Sequence, residues 1–244
     1  MDRTLKILTP KGGTYLEQIV EGFKSALSLI ASFDVELYSI VGLTLFVTII
    51  ATGISALLSV PLGIFLGIKD FPLKSLAIRI LYTCMSLPPV IVGLFVFLMI
   101  ARRGPLGRFG ILYTVTAMII AQILLVTPII TGIVYNGTLE KGRDIKNLGK
   151  TLGASRPQLL FLLIRELRIE LFAGVISGYG RAISEVGAVM IVGGNIQGHT
   201  RVMTTAIAML RSMGDYEMAI ALGLILLGLS FVVNFTLYHF QQKA

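Results

Sequence analysis

The chain has 244 residues, 55% of them hydrophobic and only 14% charged. Soluble domains carry about a quarter of charged residues, so this composition excludes an ordinary soluble domain and points to a polytopic membrane protein. The formal net charge of +8 does not indicate nucleic acid, because the basic residues collect between apolar runs and form no stripe with interleaved aromatics. Cys84 is the single cysteine, which excludes a disulfide frame and a cysteine-built metal site. His199 and His239 stand 40 residues apart on opposite sides of the expected bundle, so no metal site is expected from them either.

Met1 to Lys11 lacks the apolar core of a signal peptide. Residues 14–31 are amphipathic, with Leu16, Ile19, Val20, Phe23, Leu27 and Ile30 on one face and Glu17, Glu21 and Lys24 elsewhere. That pattern predicts a helix lying in the membrane interface or packed on the bundle. Residues 1–37 are therefore set apart from a transmembrane domain over 38–240.

The first span runs from Tyr38 to Ile68, 31 residues without a charge. About 20 residues cross the hydrocarbon, so this helix must tilt, bend or protrude. A polar turn over 69–74 leads to a second span over 76–101. Its Pro88-Pro89 pair removes two amide donors mid-span and must kink or break the helix. Arg102, Arg103 and Arg108 form the next loop, and a third span covers 111–135, closing at Asn136-Gly137. The fourth is placed over 171–193 and the fifth over 219–239. The chain is thus an all-α integral membrane protein of about five spans plus an N-terminal amphipathic helix.

Between the third and fourth spans lies a basic island. Residues 140–170 hold Lys141, Arg143, Lys146, Lys150, Arg156, Arg165 and Arg168 against Glu140, Asp144, Glu166 and Glu170. Such an excess in a short segment marks the cytoplasmic face. Five spans then place the C-terminus inside and the N-terminus outside, and Arg102, Arg103 and Arg108 fall on the outside, against the same bias. Were residues 14–31 a sixth span, only the N-terminus would change sides. Leu148, Leu152, Leu159, Leu160 and Leu163 recur at helical spacing, interrupted by Gly153 and Pro157. The pattern reads as a short helix, a tight turn and a second helix entering the membrane. Gly149-Lys150-Thr151 could end a phosphate-binding loop, but that motif needs a glycine at the position of Asp144 and a preceding buried strand. Nucleotide binding by this chain is not expected.

Arg181 and Glu185 lie about 10 and 14 residues into the fourth span, near mid-bilayer at ~1.5 Å per residue. Ionisable groups there cost at least a few kcal/mol. Four apart on one helix face, they can neutralise each other. Two readings stand open: an ion pair that pins the helix to its neighbours, or groups lining a path, with Arg181 offering a fixed donor fork to an anion. Ser184 adds a hydroxyl that serves either as helix glue or as lining.

The run Lys150-Thr-Leu-Gly-Ala-Ser-Arg156 resembles the cytoplasmic loop of permease subunits of ABC importers. The resemblance implies a coupling loop at about 138–168, centred on Asn147, Leu148, Gly149, Lys150, Thr151, Leu152, Gly153, Ala154, Ser155 and Arg156, which docks on an ATPase, with Gly153 as the turn. Asn147-Leu148-Gly149 departs from the Glu-Ala-Ala that opens the family pattern, and Arg165-Glu166 from the Leu-Pro that closes it. A second stretch, Gly180 to Arg201, resembles the penultimate helix and outer loop of molybdate, tungstate and sulfate permeases. Ile183-Ser-Glu-Val-Gly-Ala-Val189, followed by Arg201-Val-Met-Thr-Thr-Ala-Ile207, is most similar to the tungstate members. This likeness assigns Arg181, Ser184, Glu185 and Gly187 to the path or gate, and Asn195, Thr200 and Arg201 to the outer loop.

The resemblance implies a type I ABC importer permease fold in the inner membrane of a prokaryote. It further implies a homodimer, two copies of an ATPase subunit that hold the ATP and magnesium, and an extracytoplasmic oxyanion-binding protein. No cofactor is expected in this chain; membrane lipid is a further expected partner, and nucleic acid is not. The implied cargo is tungstate, with molybdate second; a permease for sulfate or another small solute is the alternative. A secondary carrier would show matched broken helices in its two halves, and the sequence shows one break without a counterpart. An intramembrane enzyme would need a catalytic constellation, which is missing.

Overall fold

The computed structural model describes residues 15–242, excepting the side chains of 15–21, Arg156, Leu237 and 240–242, and the described residues form helices and turns only. The N-terminal residues before Tyr15, part of the expected 1–37 segment, lie outside them. Helix α1 (Tyr15–Ala31) packs on the last helix, with Gly22 facing Ile220 and Ala26 fully buried. At 17 residues and ~1.5 Å each it is shorter than the hydrocarbon core. It thus packs on the bundle, one of the two expected placements.

Helix α2 (Val35–Ile68) starts where the Asp34 carboxylate accepts the Leu37 amide at 2.8 Å. Its 34 residues run unbroken through Pro61, far longer than a perpendicular span needs. The next span is broken outright. Helix α3 (Lys74–Met85) and helix α4 (Pro89–Ile100) meet at 100° across Ser86-Leu87-Pro88. Proline at the first position of α4 gives up an amide that a helix start leaves unpaired anyway.

Helix α5 (Val115–Thr151) corrects the expected end of the third span at Asn136-Gly137. It continues through both residues into the basic island, 37 residues in all. Gly137 is a packing notch rather than a stop: a Cβ there would come within 2.5 Å of Glu170 Cγ. Asn136 Oδ1 accepts the Tyr82 hydroxyl at 2.8 Å. The expected short helix of the island is therefore the end of α5. Gly153 then turns the chain at φ +75°, and helix α6 (Arg156–Glu166) folds back on α5 with Leu159 over Gly149. Leu163 and Leu167 are buried beneath it.

Helix α7 (Arg168–Ile183) and helix α8 (Gly187–Gly193) make a second bent pair, at 59°. The continuous fourth helix expected over 171–193 is thus broken at Ser184-Glu185-Val186. Helix α9 (Met203–Met213), not foreseen in the outer segment, buries Met203, Ala206 and Leu210. Helix α10 (Tyr216–Gln242) closes the bundle. Among the described residues three helices are long and apolar enough to cross a membrane, and with each bent pair counted as one span there are up to five.

The densest seam joins α2 to α5, where Gly63 and Gly67 admit Val134 and Thr138. One end of the bundle gathers the island: Asp70 pairs with Lys74 at 3.0 Å and Arg143 at 3.4 Å, and Lys141 pairs with Glu170 at 2.6 Å. The Lys74 hydrogen bond, with the Lys74 and Arg143 charges, holds the Asp70 carboxyl below its ordinary range. At the other end Glu36 accepts from Gln197 at 2.6 Å and lies 3.5 Å from Arg201.

Candidate functional site: two facing helix breaks

The two breaks meet. Gly93 of α4 sits against the backbone of α8, where a Cβ would come within 2.6 Å of Ala188 Cα. Gly187, at the start of α8, is covered by Val90, just beyond the Pro88-Pro89 break, where a Cβ would come within 2.9 Å of Val90 Cγ2. The second half of the chain therefore holds the counterpart break that the sequence seemed to lack. No proline makes it, so other groups must satisfy the freed backbone in a membrane.

They do so residue by residue. Ala182 O, at the end of α7, accepts Gln122 Nε2 at 3.2 Å and the Glu185 amide at 3.2 Å. Glu185 O accepts the Thr204 hydroxyl of α9 at 2.7 Å. The Glu185 carboxylate then caps α8: Oε1 accepts the Ala188 amide at 3.0 Å, and Oε2 lies 3.0 Å from Arg181. Ser184 turns its hydroxyl back to Gly180 O and Arg181 O, at 3.0 and 3.1 Å. Arg181 and Glu185 do pair as the sequence suggests, but across a helix end. Gln122 and Thr204 were missed. A lone amide in the middle of the 111–135 span was the available signal, since an intramembrane polar group must find a partner.

The two members of the pair differ. Glu185 is 3% exposed with both oxygens engaged, whereas Arg181 is 34% exposed and gives Glu185 one nitrogen. A guanidinium carries five N–H donors, so Arg181 retains donors beside the junction. A cavity of about 800 Å³ between α2, α3, α4 and α5 is instead lined mainly by apolar residues such as Leu58, Leu62, Ile80, Leu87, Phe95 and Leu124. Its lining offers an oxyanion the Thr127 and Thr131 hydroxyls but no charged donor.

The expected outer-loop residues hold their own turn together. Asn195 takes φ +51° and donates to Thr205 O at 3.4 Å. Thr200 is buried, accepts the Ile196 amide at 3.0 Å and donates to Gly193 O. Arg201 ties the turn to Glu36 of α2.

At the island end, Asn147, Leu148, Gly149, Lys150 and Thr151 form the last turns of α5, with Thr151 bonded back to Asn147 O at 2.9 Å. Gly149-Lys150-Thr151 is helix, so its amides are not free to cradle phosphate. Leu152, Gly153, Ala154 and Ser155 make the turn, in which the Ser155 amide donates to Gln158 at 2.8 Å. The Arg156 side chain lies outside the described residues. Leu148 and Leu152 are 60% and 76% exposed, and Phe161 of α6 is 68% exposed. These large apolar residues are exposed among the lysines and arginines of the island.

Comparison with known proteins gives the family. Residues 59–244 match the family described as binding-protein-dependent transport system inner membrane component. The chain is 56% identical to the tungstate uptake system permease protein TupB of Peptoclostridium acidaminophilum, over 93% of this chain and 100% of that one. It is 37% identical to TupB of Campylobacter jejuni over 98% of this chain and 99% of the relative. A probable anion ABC transporter permease of Haloferax volcanii is 38% identical, over 85% of this chain and 91% of that one. The crystal structure of an amino acid ABC transporter with histidines shares the fold at TM-score 0.64 and 14% identity, over 89% of this chain and 98% of that chain. With its broken spans, its island loop and these relatives, the chain belongs to the inner membrane components of binding-protein-dependent transport systems, as a permease subunit of an ABC transporter.

Proposed function

We propose that the chain is the membrane-spanning subunit of an ATP-driven tungstate importer, with molybdate as the second cargo. Two copies form the pathway through residues 38–240. Two ATPase subunits, which hold ATP and magnesium, sit under the turn of residues 147–156 and α6. The island and the C-terminus face the cytoplasm, and the N-terminus faces outside. A binding protein delivers the anion at the opposite end. The observation that carries the pathway is the pair of facing breaks, where Arg181 is anchored by Glu185 yet keeps free donors for an anion. ATP-driven closure of the ATPases would move α6, and through α5 and α7 the junction, in alternating access. The choice of tungstate rests on likeness to the tungstate permeases. The sulfate permease CysW of Synechococcus elongatus, at 27% identity, is a more distant relative.

The test is ATP-dependent uptake into vesicles holding the permease, its ATPase and its binding protein. Tungstate should be taken up at the lowest concentration, then molybdate. Sulfate uptake that outcompetes both would overturn the cargo, and uptake without ATPase or binding protein would overturn the mechanism.

A further inference from the structure

Arg102, Arg103 and Arg108 crowd the end of the bundle opposite the basic island, where the charge bias of the chain predicts few cations. The segment 101–114 that holds them contains no acidic residue. All three are exposed, and none is ion-paired among the described residues.

This loop is wound tightly over the C-terminus of α4. The Gly104 amide donates to Ala101 O at 2.6 Å, Leu106 to Met99 O at 2.9 Å and Gly107 to Gly104 O at 3.0 Å. A single 3-10 turn follows over Gly107–Phe109. A Cβ on Gly104 or Gly107 would collide with the carbonyls of Leu98 and Ala101. On this fixed backbone Arg108 lies 5.0 Å from the Phe109 ring, and Leu106, Phe109 and Tyr113 are exposed beside it. Arginine with exposed aromatics is the composition of protein-binding hot spots. A rigid loop also loses little freedom on binding.

The far end of the loop is keyed to the junction described above. Tyr113, at φ +61°, donates its amide to Val192 O at 3.0 Å. Its ring covers Gly194, where a Cβ would come within 2.8 Å. Helix α8 is seven residues long and begins beside Glu185, so contact at the loop is one short helix from Arg181.

We infer that residues 102–113 are the docking platform for the external binding protein, that they receive an acidic face of it, and that Tyr113 passes the contact to α8. The inference rests on the proposed orientation, which puts this end outside. Exposed arginines alone would suit anionic lipid headgroups equally. The wound backbone and its connection to α8 favour a protein, since lipid binding requires neither.

The test uses nanodiscs holding the permease with its ATPase, in zwitterionic lipid alone and with phosphatidylglycerol added. The probe is the purified, anion-loaded binding protein, whose association is followed at low and high salt. The triple variant Arg102→Gln/Arg103→Gln/Arg108→Gln should associate about tenfold more slowly at low salt and lose most of its salt dependence. The triple lysine variant should stay near wild type, and thermal unfolding of each variant reports on folding. Tyr113→Ala should still bind, with severalfold weaker stimulation of ATP hydrolysis by the binding protein. A glutamine variant that associates like wild type overturns the platform and leaves the transport reading standing. An effect confined to discs with phosphatidylglycerol overturns it in favour of a membrane surface. A wild-type complex that binds no binding protein overturns both.

Discussion

Glu185 and Arg181 carry opposite amounts of commitment. Every polar atom of the Glu185 side chain is engaged, and its main-chain oxygen takes the Thr204 hydroxyl. Removing it strands Arg181 in the bilayer and uncaps α8; stranding one charge of a buried pair costs a few kcal/mol. Removing Arg181 leaves the buried Glu185 carboxylate without its counter-ion, but the Ala188 amide still donates to it and α8 stays capped, so the loss should be smaller. We expect Glu185→Ala to lower the unfolding temperature in detergent more than Arg181→Ala does. The double variant should regain part of the loss while uptake stays absent. A double variant that recovers stability and uptake together would reduce the pair to a structural clamp. Thr204→Val keeps shape but leaves the Glu185 carbonyl without its donor, a loss of about 1–3 kcal/mol. It should destabilise with little change in ATPase co-purification, and a neutral thermal shift would show that the carbonyl finds another donor.

Among the elements, the long α5 and the folded-back α6 behave as one piece. Leu159 fills the space over Gly149, and Glu170 fills the space over Gly137 and pairs with Lys141. Displacement of α6 therefore reaches both α5 and the start of α7. Gly153 makes the turn at φ +75°, a conformation closed to proline, whose ring holds φ near −65°. We expect Gly153→Pro and Ala154→Asp to leave the membrane bundle folded while uptake is lost and the ATPase dissociates more readily. Normal uptake in both variants, with the ATPase still bound, would remove the coupling role from this turn. The nearby Asp70 contributes little to stability. Its pKa is lowered, so its contribution holds above the ordinary carboxylate range and is lost as pH falls through the folded value, and full exposure keeps it small.

For the molecule as a whole, α2 and α5 are each well over the roughly 30 Å hydrocarbon thickness. The polar groups accordingly sort into two ends: Asp70, Lys141 and Arg143 at one, Glu36, Arg201 and the Arg102–Arg108 loop at the other. The proposed orientation is open to labelling. In a Cys84→Ser background, Arg103→Cys should react with a membrane-impermeant maleimide in intact cells, and Lys150→Cys only after permeabilisation. The reverse pattern would invert the molecule and move the ATPase to the arginine loop.

What the sequence determined by itself is whatever is local. Apolar runs declared the spans, Pro88-Pro89 the first break, the 14–31 periodicity an amphipathic helix in the interface or on the bundle, and Gly153 the turn. The spacing of Arg181 and Glu185 declared their pairing. Tertiary structure alone decided the rest. Asn136-Gly137 reads as a helix end, yet Glu170 and Tyr82 take those positions as packing and hydrogen-bonding sites, so α5 continues. The break at Ser184-Glu185-Val186 carries no proline. It persists because Gln122, 60 residues away from Ala182, and Thr204, 19 residues away from Glu185, supply the hydrogen bonds the helix gives up. In α9 the short apolar face, with Met203, Ala206 and Leu210 buried and Ile207 and Met209 packed beside them, gains meaning only through burial against its neighbours. A helix end that distant side chains satisfy leaves no mark in the sequence beside it, because in a membrane the backbone adopts whichever form has all its polar groups paired.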